Sequence, residues 1–450
     1  MISGEKKLYT NSVLYINLIF AFFPISFVFG NLLTNANLII FCVYALLYLK
    51  SSSFTAKFNF SLKVIFLLFL FVFFSTALSF IKSAFFQEQD ETILIRLIKS
   101  LLFFRFFLLL LIIYILNELE IINFKYFFIS ATFVVLFIAL DVIFQYILGY
   151  NILGFESYIH HNTSFFKDEL ISGGYIQNFS FFSLLYLSYL FRNNNILNTS
   201  LIAFATCILG IAILVSGNRF PFVLFLLGIL LLFILNKKLR KKISLSFIIL
   251  IFASSLIIFY DSQFRSSYFS LYQNMKSDII SLSRRMITNE EKILKEEKKE
   301  FQNYVVEVSG HRKIISTAIE TWKLHKFFGN GIKSFRVDCQ KIILKQKRGM
   351  CSNHPHNYYM EILTDLGIVG FIIVILIALL FLDFLKKNYK TFNSNRFENL
   401  FLLAAVVSLF LEVFPIKSSG SIFTTNNATY IILMSAIILA HKKILEGKNL

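Results

Sequence analysis

Long apolar runs separated by short polar breaks set the rhythm of this chain. A helix needs about 20 mainly apolar residues to cross a bilayer. Runs of that kind recur at 12–30, 35–49, 62–81, 98–116, 125–148, 173–191, 197–216, 219–236, 243–260, 366–385, 398–415 and 424–441. The pattern predicts an all-α polytopic membrane protein of about twelve transmembrane helices, the second of them short and the sixth rather polar. Residues 261–358 break the rhythm, being charged and holding the single Trp. They predict a small, mainly helical extramembrane domain, which divides the chain into 1–260, 261–358 and 359–450. Within it 292–299 reads as a solvated mixed-charge helix without chemistry. From Arg312 onward, Ile314, Ile315, Ala318, Ile319 and Trp322 recur at spacings of three and four, ahead of Gly329 and Gly331. That spacing predicts an amphipathic helix with a glycine stop, lying on the membrane surface or over the bundle.

Composition strengthens the membrane reading. Of 450 residues, 57% are hydrophobic and 16% charged, against roughly 45–50% and 25% in ordinary globular domains. Mean hydropathy is +0.70, and Phe alone fills 57 positions. Such a chain is neither disordered nor able to hide its apolar side chains in a soluble core.

Lys and Arg total 44 against 26 acidic residues, a net charge of +18, which in a soluble protein would suggest nucleic acid. Here the positions of the charges give orientation instead. With the N-terminus cytoplasmic, alternate loops carry Lys50, Lys57 and Lys63, then Lys125, Arg192, the cluster at 237–242, and Lys386, Lys387, Lys390 and Arg396, then Lys442 and Lys443. The opposite loops are nearly bare, with Lys82, Lys167 and Lys417 as exceptions. The positive-inside rule therefore predicts cytoplasmic termini and an outward 261–358. Lys6 and Lys7 precede an apolar run with no small-residue cleavage site, which reads as a retained first span. Cys42 and Cys207 sit in apolar runs, whereas Cys339 and Cys351 share the hydrophilic loop. The second pair is a candidate disulfide in an oxidising compartment, two free thiols being the alternative.

The densest polar cluster is 354–361, His-Pro-His-Asn-Tyr-Tyr-Met-Glu, followed by Asp365, Gly367 and Gly370. Two histidines, an amide and a carboxylate at a lipid–water boundary are costly unless paired, so they suggest a site. Imidazole suits proton transfer near neutrality. Two other readings stay open: polar interface residues without chemistry, or a zinc site in which His354 and His356 join His311 or His325. Arginine supplies a second group. Arg219 follows Ser216, Gly217 and Asn218 at a span boundary, and Arg96, Lys99 and Arg105 lie at or inside the fourth span. Guanidinium forks suit phosphates; snorkelling, or an ion pair with Asp141, is the plainer alternative. No Walker loop, dinucleotide fingerprint or nucleophile elbow is present in the sequence.

These residues resemble the O-antigen ligase superfamily, the ligase and Wzy-type polymerase enzymes of bacterial envelope glycan assembly. The signature is His356-Asn357, nine residues, Gly367, two residues, Gly370. His354 extends it, with Pro355 in a slot often taken by a small polar residue. Similarity continues through 216–219, through 312–336 with Phe328, Gly329, Asn330, Gly331 and Phe335, and more weakly through 141–174. The resemblance implies a GT-C-like, inverting, metal-independent glycosyltransferase needing no cofactor. It would act on the periplasmic side of the bacterial inner membrane and move a glycan from undecaprenyl diphosphate to a sugar hydroxyl. The acceptor would be lipid A-core for a ligase, the favoured reading, or another lipid-linked repeat for a polymerase. A lipid-linked glycan transporter is a more distant alternative. Carried over residue by residue, the resemblance makes His356 the general base. Arg219 and Arg312 would hold the diphosphate, Asn357 and His354 would bind substrate, and Arg96 would be a supporting cation.

Overall fold

The computed structural model describes residues 2–50, 58–86, 92–158, 161–167, 169–273, 310–346 and 349–447. Within these, the side chains of 2–10, 86, 310–312, 345–346 and 442–447 are left undescribed. The mixed-charge helix expected at 292–299, Asp168 and the side chain of Arg312 thus lie outside the described part.

The described residues contain no strand, only two isolated bridges, Tyr150 with Glu156 and Tyr158 with His161. The helices are α1 (Ile2–Ala21), α2 (Phe23–Val28), α3 (Gly30–Tyr48), α4 (Phe60–Phe86), α5 (Ile93–Leu102), α6 (Phe104–Glu118), α7 (Phe124–Leu148) and α8 (Ser172–Leu190). They continue with α9 (Asn195–Val215), α10 (Arg219–Leu235), α11 (Arg240–Tyr260), α12 (Gly310–Leu324), α13 (Phe335–Gln346), α14 (Tyr358–Phe392), α15 (Phe397–Glu412) and α16 (Thr425–Gly447). Residues 262–273 are also helical. The first expected span is two pieces, with Pro24 early in the second, where a missing N–H costs no helix bond. The fourth is broken at Phe103.

Among the described residues eight stretches are long and apolar enough to cross a membrane: Asn11–Val28, Gly30–Tyr48, Phe60–Phe85, Ile93–Glu118, Phe124–Leu148, Asn195–Val215, Lys237–Tyr260 and Tyr358–Phe392. Arg219–Leu235 is apolar but shorter. The protein is therefore a polytopic membrane protein. Helices α8, α15 and α16 occupy the other expected spans without reaching that length or apolarity. For α8 and α15 the packing gives the reason. The two lie against each other, and α8 is further enclosed by α7 and α9. A helix surrounded by protein need not match lipid, so α8 can bury Ser180, Ser183 and Gln177.

Phenylalanine interlocks these central helices. Phe124 stacks on Phe401 at 4.9 Å between centroids, while Phe128 and Phe182 meet Phe401 at 5.2 and 5.6 Å and Phe127 meets Phe182 at 5.5 Å. Tilted and edge-on ring pairs of this kind add specificity to area burial. The outward faces stay apolar: Leu32 is 85% exposed and Leu47 82%, the arrangement a lipid solvent demands.

Candidate functional site

The site is assembled around a break in α14. Gly367 has φ 66° and ψ −168° inside that helix, a region open essentially only to glycine. Breaking the helix frees backbone donors, and the segment after α12 takes them: Ile368 N donates to the Lys326 carbonyl at 2.9 Å and Val369 N to that of Phe327 at 3.2 Å. In return Gly331 N donates to the Asp365 carbonyl at 2.9 Å. A Cβ on Gly329 would collide with the Asp365 backbone, and one on Gly367 with the Phe327 carbonyl. The glycines at 329 and 367 thus let two chains touch, which is the physical content of their spacing.

Three elements fasten this junction. From α4, Ser75 Oγ donates to the Phe328 carbonyl at 2.5 Å and Thr76 Oγ accepts from Ile332 N at 3.2 Å. From α5, Arg96 is 3% exposed and donates to the Asn330 carbonyl at 2.7 Å. From α14, the buried Asp365 carboxylate accepts from Lys333 N (2.6 Å), Ser334 Oγ (3.0 Å) and Phe335 N (3.0 Å). It thereby caps α13, satisfying donors that a helix start leaves open.

The motif histidines lie just before α14. Asn357 caps that helix, its Oδ1 accepting from Tyr359 N and Met360 N at 3.1 Å each, while its Nδ2 donates to the Pro415 carbonyl at 2.7 Å. His356 sits at φ 57°, a left-handed conformation that His tolerates better than most side chains. Its carbonyl accepts from Ser419 N at 3.0 Å, and its Nε2 is 3.2 Å from Ser352 Oγ. The His354 and His356 rings are 4.4 Å apart. Burial, then the neighbouring His356 and Arg336, push the His354 imidazole down to about 4, against an opposing bond from the Ser419 backbone. His354 is therefore neutral at pH 7.

Cys339 and Cys351 form a disulfide, with Cα atoms 5.6 Å apart. The bridge ties α13 to the chain one residue before Ser352, so it sets where the Ser352 hydroxyl meets His356.

A buried polar knot lies beneath. Glu361 accepts from Ser421 Oγ at 2.5 Å and Ile422 N at 2.8 Å. Glu412, at the end of α15, accepts from Tyr358 Oη (2.6 Å), Asn178 Nδ2 (2.8 Å) and Lys417 Nζ (2.5 Å). Lys417, an exception to the loop-charge pattern, is thus explained by a buried partner. From this knot an apolar cavity of about 230 Å³ runs between α4, α14, α15 and α16. Tyr358, Tyr359 and Ile422 line one end, Phe381, Phe384 and Leu439 the other. Along α14 these ends are about seven helical turns apart.

The other candidates are placed elsewhere. Arg219 donates to the Ser267 carbonyl at 3.0 Å and to Ser270 Oγ at 2.9 Å, anchoring the helical 262–273. No hydrogen bond among the described residues joins it to the histidines. Asp141 does not pair with Arg96, Lys99 or Arg105: its carboxylate accepts from Ile152 N at 2.9 Å and from the Ser164 hydroxyl, pinning the loop after α7. Arg105 donates to Leu102 O and Thr425 Oγ and lies 4.4 Å over the Phe106 ring. Among the described residues no three His, Cys, Asp or Glu side chains converge as metal ligands; the His311 side chain lies outside them. Sequence reading missed Ser352, Lys333 and the position of Arg336 near His354, because the signal lies in spatial neighbours rather than spacing.

The fold and site together define a polytopic membrane protein with a histidine-bearing polar junction at the start of α14 and an apolar cavity that Tyr358 and Tyr359 of the same helix line. Residues 203–375 match the family model described as O-Antigen ligase. The matched segment runs from α9 into α14, and so contains the 216–219 turn, the 326–335 junction and the motif. Over that segment, and not over the chain as a whole, the protein is similar to the O-antigen ligase family. No curated protein is significantly similar to the chain.

Proposed function

We propose that the protein is an inverting, metal-independent glycosyltransferase. It moves a glycan from undecaprenyl diphosphate to a sugar hydroxyl, and the favoured form is an O-antigen ligase acting on lipid A-core. The observation that carries this reading is the placement of His356. Its ring is held by Ser352 and packed on a neutral His354, two residues before Tyr358, which with Tyr359 lines one end of an apolar cavity. In this reading His356 takes the proton of the acceptor hydroxyl as that oxygen attacks the anomeric carbon. The bond to the diphosphate oxygen breaks, and nearby cations stabilise the charge on the leaving group. The prenyl chain of the donor occupies the cavity.

A chromosomal deletion tests the ligase assignment. A ligase leaves full-length polymer on its lipid carrier, unattached; accumulation of single repeats would instead mark the polymerase branch.

The proposed orientation puts 261–358 in the periplasm, which is oxidising. Non-reduced peptides from acid-quenched cells are expected to contain Cys339 linked to Cys351. Closing so short a loop contributes roughly 3 kcal/mol in the chain-entropy picture. Recovery of both cysteines alkylated would remove the bridge from the cellular protein.

A further inference from the structure

Three cations gather around the junction: the Arg96 bond to the Asn330 carbonyl at 2.7 Å holds α5, and with it Lys99, against the segment that carries Lys333, and Arg336 follows next to His354. Lys99 comes from α5, Lys333 precedes α13 and Arg336 lies in its first turn. Their mutual influence is visible in Lys333, whose ammonium is pulled below its ordinary value first by burial and then by Lys99 and Arg336, with Glu361 and Asp365 opposing. Arg336 also reaches His354, helping to lower it.

The carboxylates that face this group are already engaged. Asp365 spends its oxygens on the start of α13, and Glu361 on Ser421 and Ile422. Among the described residues no carboxylate lies within ion-pair distance of Lys99, Lys333 or Arg336. Like charges crowded at a lipid boundary and offset only in part by Glu361 and Asp365 raise the energy of the empty protein, and an arriving anion relieves that cost.

Two buried nitrogens sharpen the chemistry. Arg336 Nε and His354 Nε2 are both enclosed and have no hydrogen-bond partner among the described residues. The guanidinium N–H can only donate, and a neutral imidazole nitrogen can donate in one tautomer. What would satisfy both, and neutralise three cations, is a compact group bearing several anionic oxygens.

We infer that Lys99, Lys333 and Arg336, with His354 at the edge, form a binding site for a phosphate-class anion, separate from the Arg219 anchor. Under the proposed function this anion is either the donor's diphosphate or a phosphate carried by the acceptor. That choice rests on the proposed glycosyl transfer; the anion site itself does not.

The test uses the full chain in detergent at low salt, with inorganic pyrophosphate as probe and the unfolding midpoint as readout, since a ligand bound by the folded state raises it. Wild type is expected to show a saturable rise. Lys99→Gln, Lys333→Gln and Arg336→Gln should each weaken the apparent affinity by about ten- to a hundred-fold, the scale of one charge-assisted contact. Arg336→Lys should restore part of it, and Lys386→Gln, at the far end of α14, should not change it. Because Lys99 and Lys333 sit on different elements, a fold defect in one variant leaves the other informative. A wild-type midpoint indifferent to pyrophosphate, or folded Gln variants binding like wild type, would overturn the site. A transfer assay then separates the sources. A rise in KM for the lipid-linked donor assigns the anion to the diphosphate, and a rise in KM for the acceptor assigns it to that partner. Pyrophosphate binding lost in the variants of a protein with no transfer activity would keep the site and reject the glycosyltransferase reading; unchanged pyrophosphate binding in an active enzyme would do the reverse.

Discussion

Alanine at His356 is expected to lower glycan transfer by about a hundred- to ten-thousand-fold while the protein remains in the membrane, the contribution typical of a positioned general base. The local geometry makes a clean experiment possible. The His356 backbone is held at φ 57° by its carbonyl's bond to Ser419 N, and alanine adopts that conformation at a cost of roughly 1–2 kcal/mol. Asparagine tolerates it better, so His356→Asn removes the imidazole with less backbone strain. Both variants should lose transfer, and only the alanine form should also lose some stability. The pH profile supplies a second readout. His354, held down to about 4, stays neutral from pH 5 to 8, so a limb in that range belongs to another group. The sign also bears on stability: between about pH 6.5 and 4 the unfolded His354 binds a proton that the folded one refuses, so acid weakens the fold there. Transfer should survive chelators. Near-normal transfer by His356→Asn would remove this side chain from the mechanism, and chelator loss reversed by zinc would revive the metal alternative.

How much of this could be read from the sequence depends on what each residue faces. Helices such as α4 and α7 present apolar side chains to lipid, so their period and length announce them directly. The spans that do not reach membrane length and apolarity include the two central helices, α8 and α15. Protein surrounds them, and Glu412 is answered by Asn178 and Tyr358, which no local pattern displays. The same distinction governs the site. His354, His356 and Asn357 are adjacent in sequence and stand out as costly polar residues at a boundary. Asn357, however, spends its amide on capping α14 and fastening 415–417. Arg96 spends one of its N–H donors on a carbonyl of the junction. Lys333 and Arg336 look like ordinary loop charges until the break at Gly367 brings the 326–335 segment against α14. Glycine spacing reported that a special junction exists; only the backbone pairing across it showed which cations it delivers.

That junction yields the second large expectation. Asp365→Ala should destabilise the protein by about 2–6 kcal/mol, because the carboxylate is fully buried and two backbone N–H groups and a hydroxyl would lose their acceptor. Asp365→Asn keeps Oδ1 for Ser334 and Phe335 but turns an NH₂ toward Lys333 N, so a smaller loss of about 1–2 kcal/mol is expected. The unfolding midpoint in detergent should therefore fall in the order wild type, Asn, Ala. Transfer at low temperature, where each variant remains folded, should be reduced through a misplaced Arg336 and Lys333, and the weakening of pyrophosphate binding should follow the same order. A carboxylate acting directly in the reaction would behave differently: the Asn variant would be nearly inactive yet as stable as wild type. Finding that pattern would move Asp365 from holding the cations in place to touching the substrate, and an unaltered midpoint for Asp365→Ala would show that the start of α13 is held by something other than this carboxylate.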